Sequence, residues 1–153
     1  MLWEIFHVAL WDPPPAPPRP REVLERPDAR IYAECWGERE GDVGVGGEVP
    51  GHDGLIGACW MRLLKGGLGL GYLDDETPQL GIALFAPFQH RGHGEPLMRA
   101  ALEAARRHGY RRVSLTVHPQ NPAASLYRRC GFVEIAQRRT YRLMLNELAA
   151  SGS

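Results

Sequence analysis

The chain has 153 residues, 44% hydrophobic and 24% charged, the make-up of one ordinary globular domain with one core and not two independent ones. Eighteen basic and eighteen acidic residues give a formal net charge of zero, so nothing electrostatic favours nucleic acid or an anionic membrane as a partner. Three scattered cysteines, Cys35, Cys59 and Cys130, form no disulfide framework and no apolar run reaches membrane-spanning length, which makes the cytoplasm the expected location.

Residues 1–11 are predicted to form a short amphipathic helix, with Leu2, Ile5, Phe6, Ala9 and Leu10 on or near one face. The run DPPPAPPRP at 12–20 forbids helix and favours polyproline II. So short and internal a segment reads as a stiff linker between two helices, in preference to a ligand for a proline-binding domain. A helix in two pieces, broken near Pro27 and with Asp28 placed to cap the second piece, is expected over 21–36. Two strands follow at 41–48 and 55–64, joined by the turn-rich stretch 49–54. In the second strand Ile56, Ala58, Trp60 and Arg62 share one face, and Gly57, Cys59, Met61 and Leu63 the other. The glycine-rich KGGLGLGY at 65–72 precedes no helix and reads as a mobile loop, and Asp74, Asp75 and Glu76 read as a solvated acidic cluster.

The stretch from Gln79 to Gly109 then organises the chain. Residues 80–85 are a short apolar run that predicts a buried strand. Residues 95–108 predict a helix whose inner face is Leu97, Met98, Ala101, Leu102 and Ala105. Between them Gln89, His90, Arg91, Gly92, His93 and Gly94 form a polar loop that opens directly into the helix. A helix start exposes backbone N–H groups at the positive end of its dipole, and glycines let a phosphate come close. The loop by itself is equally compatible with an ordinary strand-to-helix turn. Leu97 stands where a dinucleotide fingerprint needs its last glycine, and no P-loop lysine follows. Beyond it, Val113, Leu115 and Val117 alternate with Ser114, Thr116 and His118 in a strand over 112–118. Asn121-Pro122 starts a short helix that runs to Cys130 and stops at Gly131. Strands at 132–136 and 140–145 close the chain.

The spacing Gln89, Gly92, Gly94 resembles the acyl-CoA motif Q/R-x-x-G-x-G/A of the GNAT family of N-acetyltransferases. The stretch SLTVHPQNPAASLYRRCGFVEI resembles the same family's segment in which an Asn starts a helix and a Tyr precedes a Gly-Phe pair, here Asn121, Tyr127, Gly131 and Phe132. The resemblance covers the C-terminal half to Glu134. It implies an α/β (α+β) domain: a mixed, mostly antiparallel sheet with helices on both faces and a central parallel strand pair. That family opens with a strand ahead of its first helix. None is legible before residue 1–11, so the first strand is missing from this reading or lies upstream.

The resemblance further implies acetyl-CoA as co-substrate. Gln89, His90, Arg91, Gly92, His93 and Gly94 would hold its pyrophosphate. The backbone of Leu84, Phe85 and Ala86 would pair with its pantetheine arm, with Asn121 nearby, and Tyr127 would protonate the departing thiolate. The acceptor is expected to be a primary amine on a small molecule or peptide, bound in the N-terminal half, where Trp3, Trp11, Tyr32, Trp36, Trp60 and Tyr72 supply aromatic surface. Trp36 and Trp60 are candidates to line that pocket. Arg62 is a candidate to read an acidic group on the acceptor, or else an exposed strand arginine. Glu4, Glu34, Asp74, Asp75 and Glu76 are the candidate bases, each otherwise a surface charge. His90 and His93 have no second ligand cluster, so no metal is expected. Family habit also implies a homodimer through the terminal strands. Two other readings stay open: a GNAT-fold module that binds acyl-CoA without transfer, as sensor or partner subunit, and a domain that binds a nucleotide phosphate.

Overall fold

The structure, a computed structural model, describes residues 41–148. The helices and linker expected over residues 1–36, the question of a first strand, and Glu4, Glu34 and Trp36 lie outside the described residues.

Six strands and two helices follow in order: β1 (Val43–Gly47), β2 (Gly57–Arg62), β3 (Gln79–Leu84), a tight helical turn (Ala86–Phe88), α1 (Gly94–His108), β4 (Arg112–Val117), α2 (Ala123–Arg129), β5 (Val133–Arg138) and β6 (Tyr141–Glu147). They build one sheet in the order β1-β2-β3-β4-β6-β5. Every neighbouring pair is antiparallel except β3 and β4, which α1 connects as a parallel crossover. The mixed sheet and its central parallel pair are as the sequence predicts.

Strand alternation decides what each face meets. Cys59, Met61, Val113, Leu115, Val117 and Met144 belong to the core shared with Leu97, Met98, Ala101, Leu102 and Ala105 of α1 and with Ala124 and Tyr127 of α2, and the partly buried Val43, Val45, Ile82 and Leu84 pack against it. Both described helices therefore cover the same face. Ala101 and Ala105 are fully buried, and their small side chains let α1 lie close to the strands. Gly109 ends α1 in the left-handed conformation (φ 100°), and the Tyr110 N–H reaches back to the Ala105 carbonyl at 3.1 Å. No helix of the described residues is long and apolar enough to cross a membrane.

The opposite face is more polar. Trp60 is 3% exposed, its indole lying where a Cβ on Gly81 would come within 2.7 Å. Arg62, expected to be an acceptor-reading or exposed arginine, is neither: its side chain is 1% exposed and its guanidinium grips both oxygens of Asp42 at 2.9 Å. A guanidinium taken out of water needs a carboxylate in good geometry, and the chain just ahead of β1 supplies one.

The glycine-rich segment, expected to be mobile, is instead fixed on this face. Gln79 donates to the Leu68 carbonyl at 2.9 Å and accepts the Gly71 N–H at 3.1 Å. Ser114 donates to the Gly71 carbonyl at 2.7 Å, and Arg138 donates to the carbonyls of Leu70 and Tyr72 at 3.2 and 2.6 Å. Backbone groups that leave a ladder must be satisfied somewhere, and three strands provide the partners. The acidic cluster joins in. Asp75 accepts the Tyr72 hydroxyl at 2.6 Å and the Gly66 N–H at 2.8 Å. Asp74 accepts the Thr77 hydroxyl and the Glu76 N–H, both at 2.8 Å, and pairs with Arg112.

Two outcomes follow for stability. Arg62→Ala should cost about 3–5 kcal/mol, because the Asp42 carboxylate stays buried after its bidentate partner is gone; a urea midpoint shift worth under ~1 kcal/mol would show the pair to be incidental. At Asp74, burial alone would raise the carboxyl, but hydrogen bonds from Thr77 and Glu76 and the Arg112 charge outweigh it and hold the group below its ordinary value. A depressed carboxyl stabilises the fold above its unfolded pKa of about 3.9 and loses that contribution as the pH falls through the folded value. Asp74→Asn should therefore be less stable than wild type near neutrality, with the two converging in acid; parallel stability curves would contradict this.

Candidate functional site

Between β3 and β4 the sheet opens. The two strands share one registered pair, Gln79↔Ser114, secured by the Ser114 N–H on the Pro78 carbonyl at 3.0 Å. Past that pair no β3–β4 partner is registered, although β3 continues to Leu84 and β4 to Val117. The directions of the main-chain groups follow from the pairing on the other side. The Phe85 N–H donates to the Ile56 carbonyl at 2.9 Å, across the non-hydrogen-bonded pair Gly57↔Leu84. Peptide groups alternate along an antiparallel ladder, so Leu80, Ile82 and Leu84 turn their N–H and C=O groups towards β4. At Ile82 and Leu84 these groups border the gap.

Of the three residues expected to meet a pantetheine arm, Leu84 turns both of its main-chain groups toward the gap. The Phe85 N–H is committed to Ile56, and its carbonyl accepts the Phe88 N–H at 2.9 Å; the Ala86 carbonyl accepts the Gln89 N–H at 3.2 Å. The chain coils at once into the turn Ala86–Phe88. Ile82, which sequence reasoning did not single out, likewise turns its main-chain groups toward the gap. The β2–β3 register, which sets this alternation, is a tertiary fact, and no local pattern announces it.

The turn delivers the polar loop to the start of α1. His90 and Gly92 both take left-handed conformations, at φ 60° and 83°. A Cβ on Gly92 would meet nothing within 4 Å, so this glycine is required by its backbone angle. Gly94 is different: a Cβ there would stand 3.0 Å from Leu126 of α2, so this glycine lets the two helices meet at the loop. Gly94 and Glu95 open α1 after His93, which makes no side-chain cap bond. The first N–H groups of a helix have no intrahelical partners. Gln89 bends its side chain back to the strand, and its Nε2 donates to the Leu84 carbonyl at 2.8 Å. Phe88 packs against His93 and, at 4.8 Å between ring centres, against His52 from the β1–β2 connection.

On the far side of the gap, the Asn121 side chain accepts the Ala123 N–H at 2.9 Å, the cap its sequence predicts. This sets α2 so that Tyr127 points into the core, edge-on to Phe132 with ring centres 6.2 Å apart. The Tyr127 hydroxyl makes no hydrogen bond among the described residues. Burial, with the nearby Cys59 thiol adding to it, pushes the phenol above its ordinary value, and burial likewise raises Cys59.

Gln89, Gly94, Leu84 and Leu126 thus meet at one end of the gap. Trp60 and Arg62 lie on the opposite face, and Asp75 is engaged in the glycine-rich loop. The described residues include no group of three or more His, Cys, Asp or Glu side chains able to hold a metal ion.

Comparison with known proteins gives the same picture. The model of the acetyltransferase (GNAT) family matches residues 3–132. No curated protein matches. Among solved structures, the chain is similar to the PaiA N-acetyltransferase of Thermoplasma acidophilum in complex with coenzyme A, at 19% identity over 69% of this chain and 60% of that one, with a TM-score of 0.56. It is similar to the GNAT domain of S. lividans PAT, at 17% identity, 70% and 61% coverage and a TM-score of 0.60. It is also similar to a GNAT-family acetyltransferase from Streptococcus pneumoniae, at 20% identity, 84% and 75% coverage and a TM-score of 0.59. The chain spans only 60% and 61% of the first two, and at these identities the likeness is one of fold. With the family model matched over most of its length, the chain belongs to the GNAT acetyltransferase family.

Proposed function

We propose that this chain transfers an acetyl group from acetyl-CoA directly to a primary amine of a small molecule or peptide. The observation that carries the reading is the gap: a parallel pair that separates after one registered pair and leads into a left-handed, glycine-containing loop at a helix start. The main-chain groups of Ile82 and Leu84 offer a pantetheine arm the partners of an added strand. The loop from Gln89 to Gly94 and the first N–H groups of α1 suit its pyrophosphate.

In this reading the neutral amine attacks the thioester carbonyl and the C–N bond forms, the nitrogen gives up a proton to water, and the C–S bond breaks as the tetrahedral intermediate collapses, with Tyr127 reprotonated from solvent afterwards. Backbone N–H groups at the end of β3 would stabilise the oxyanion. Tyr127 would meet the leaving sulfur. In water a phenol is a weaker acid than a thiol, so full proton transfer to an exposed thiolate would run uphill. The Tyr127 O–H would instead stabilise the expelled thiolate by hydrogen bonding before giving up the proton.

Two carboxylates named as candidate bases are poor ones. The Tyr72 hydroxyl and the Gly66 N–H hold the Asp75 carboxyl below its ordinary value, and Asp74 is depressed as well. This favours, as the second reading, a module that binds acyl-CoA without transferring it. The outer edge of β5, where Val133 and Ile135 are exposed, is where a homodimer through the terminal strands would pair.

Acetyl-CoA should bind the purified protein in calorimetry, and free thiol should appear when a panel of amines is added; absence of binding at high micromolar concentration ends the enzyme reading, while binding without thiol release supports the second. Tyr127→Phe should lower kcat by roughly 10²–10⁴-fold and leave acetyl-CoA affinity within about twofold; equal losses in both would make Tyr127 structural. Because a general acid must be protonated and this phenol is raised, kcat should show no descending limb from Tyr127 below about pH 10; a limb near neutrality that vanishes in Tyr127→Phe would contradict the assignment.

A further inference from the structure

The Gln89 side chain does not extend outward from the polar loop. The tight turn, closed by the Phe88 N–H on the Phe85 carbonyl and the Gln89 N–H on the Ala86 carbonyl, reverses the chain so that the Gln89 amide lies back on Leu84, five residues earlier, and donates to its carbonyl at 2.8 Å. That carbonyl borders the gap between β3 and β4 at the last residue of β3. A carbonyl oxygen has two lone pairs: one is taken by Gln89, and the other remains for a donor arriving in the gap.

We propose that Gln89 is a positioning residue that ties the loop at the start of α1 to the gap-facing end of β3, and so couples the grip on the phosphate end of coenzyme A to the seating of its pantetheine arm. The coupling rests on the acetyl-CoA reading above. Gln89 acts through Leu84, and its side-chain amide is not a phosphate ligand. Three features support this. The bond spans the two parts of the site, strand and loop. It fixes the direction of an acceptor that a pantetheine amide N–H would share. It also anchors the chain immediately before His90, whose left-handed backbone at φ 60° is costly for a residue other than glycine and needs neighbours that hold it. Methionine would match the length of Gln89 with no donor. Arginine would keep a donor able to reach the same carbonyl.

The test is calorimetry on wild type, Gln89→Met and Gln89→Arg with two ligands: acetyl-CoA, and the ribose-phosphorylated ADP that is coenzyme A without its pantetheine arm. Loss of one hydrogen bond, worth about 1 kcal/mol, should weaken acetyl-CoA binding to Gln89→Met by roughly fivefold. Binding of the truncated nucleotide should stay within about twofold, and Gln89→Arg should restore acetyl-CoA binding. Hydrogen exchange in the ligand-free protein should show faster exchange over residues 85–93 in Gln89→Met alone. Equal weakening of both ligands would make Gln89 a phosphate contact or a purely structural one and overturn the coupling; so would unchanged binding of both. If wild type binds neither ligand, the acetyl-CoA reading itself has failed, a result distinct from either of those.

Discussion

The gap that forms the candidate site exists because β3 and β4 part company after one registered pair. A parallel ladder held along its whole length would have used the main-chain groups of Ile82 and Leu84 internally, and β3 would offer a ligand nothing. Separation costs those hydrogen bonds, and the rest of the structure is arranged to hold the strands apart at one end and together at the other. At the closed end, Ser114 and Gln79 are buried and hydrogen-bonded to the loop across them. At the open end, the chain leaves β3 through a tight turn, and Gln89 secures it.

The two sides of the sheet carry different loads. On one, apolar side chains from five strands pack beneath α1 and α2, and the burial of Tyr127 beside Cys59 sets the acid–base character of that region. On the other, polar groups are buried in matched sets: Arg62 with Asp42, and Gln79, Ser114 and Arg138 with the carbonyls and an N–H of the glycine-rich loop. Buried polar groups carry a high desolvation cost unless every donor and acceptor finds a partner. Such matching makes the loop rigid despite four glycines within residues 65–72, a composition that by itself suggests mobility.

The local features were legible because their physics is local. The inner face of α1 follows from the spacing of Leu97, Met98, Ala101, Leu102 and Ala105. Gly109 stops that helix because the left-handed conformation suits glycine, and Asn121 caps α2 through an N–H only two residues away. The alternation of Val113, Leu115 and Val117 placed β4. Arg62 was misread for the complementary reason: its partner stands 20 residues away, and nothing between the two signals the pairing. The same holds for Ser114 and Gly71, 43 residues apart, and for Arg138 and Tyr72, 66 apart.

Among the described residues, the sequence by itself determined which segments are helices and strands, which faces the helices and central strands bury, and where the polar loop meets α1, and, by resemblance, it determined the family. Each of these depends on residues within a few positions of one another, where periodicity, capping and backbone preference act. Tertiary structure alone decided that Ile82 and Leu84 turn their main-chain groups into the gap while those of Phe85 are engaged elsewhere, that Arg62 is internal, and that the Gln89 amide returns to Leu84. Those outcomes depend on strand register and on how the chain turns back on itself, and hydrogen-bond direction along a strand changes with every residue of register.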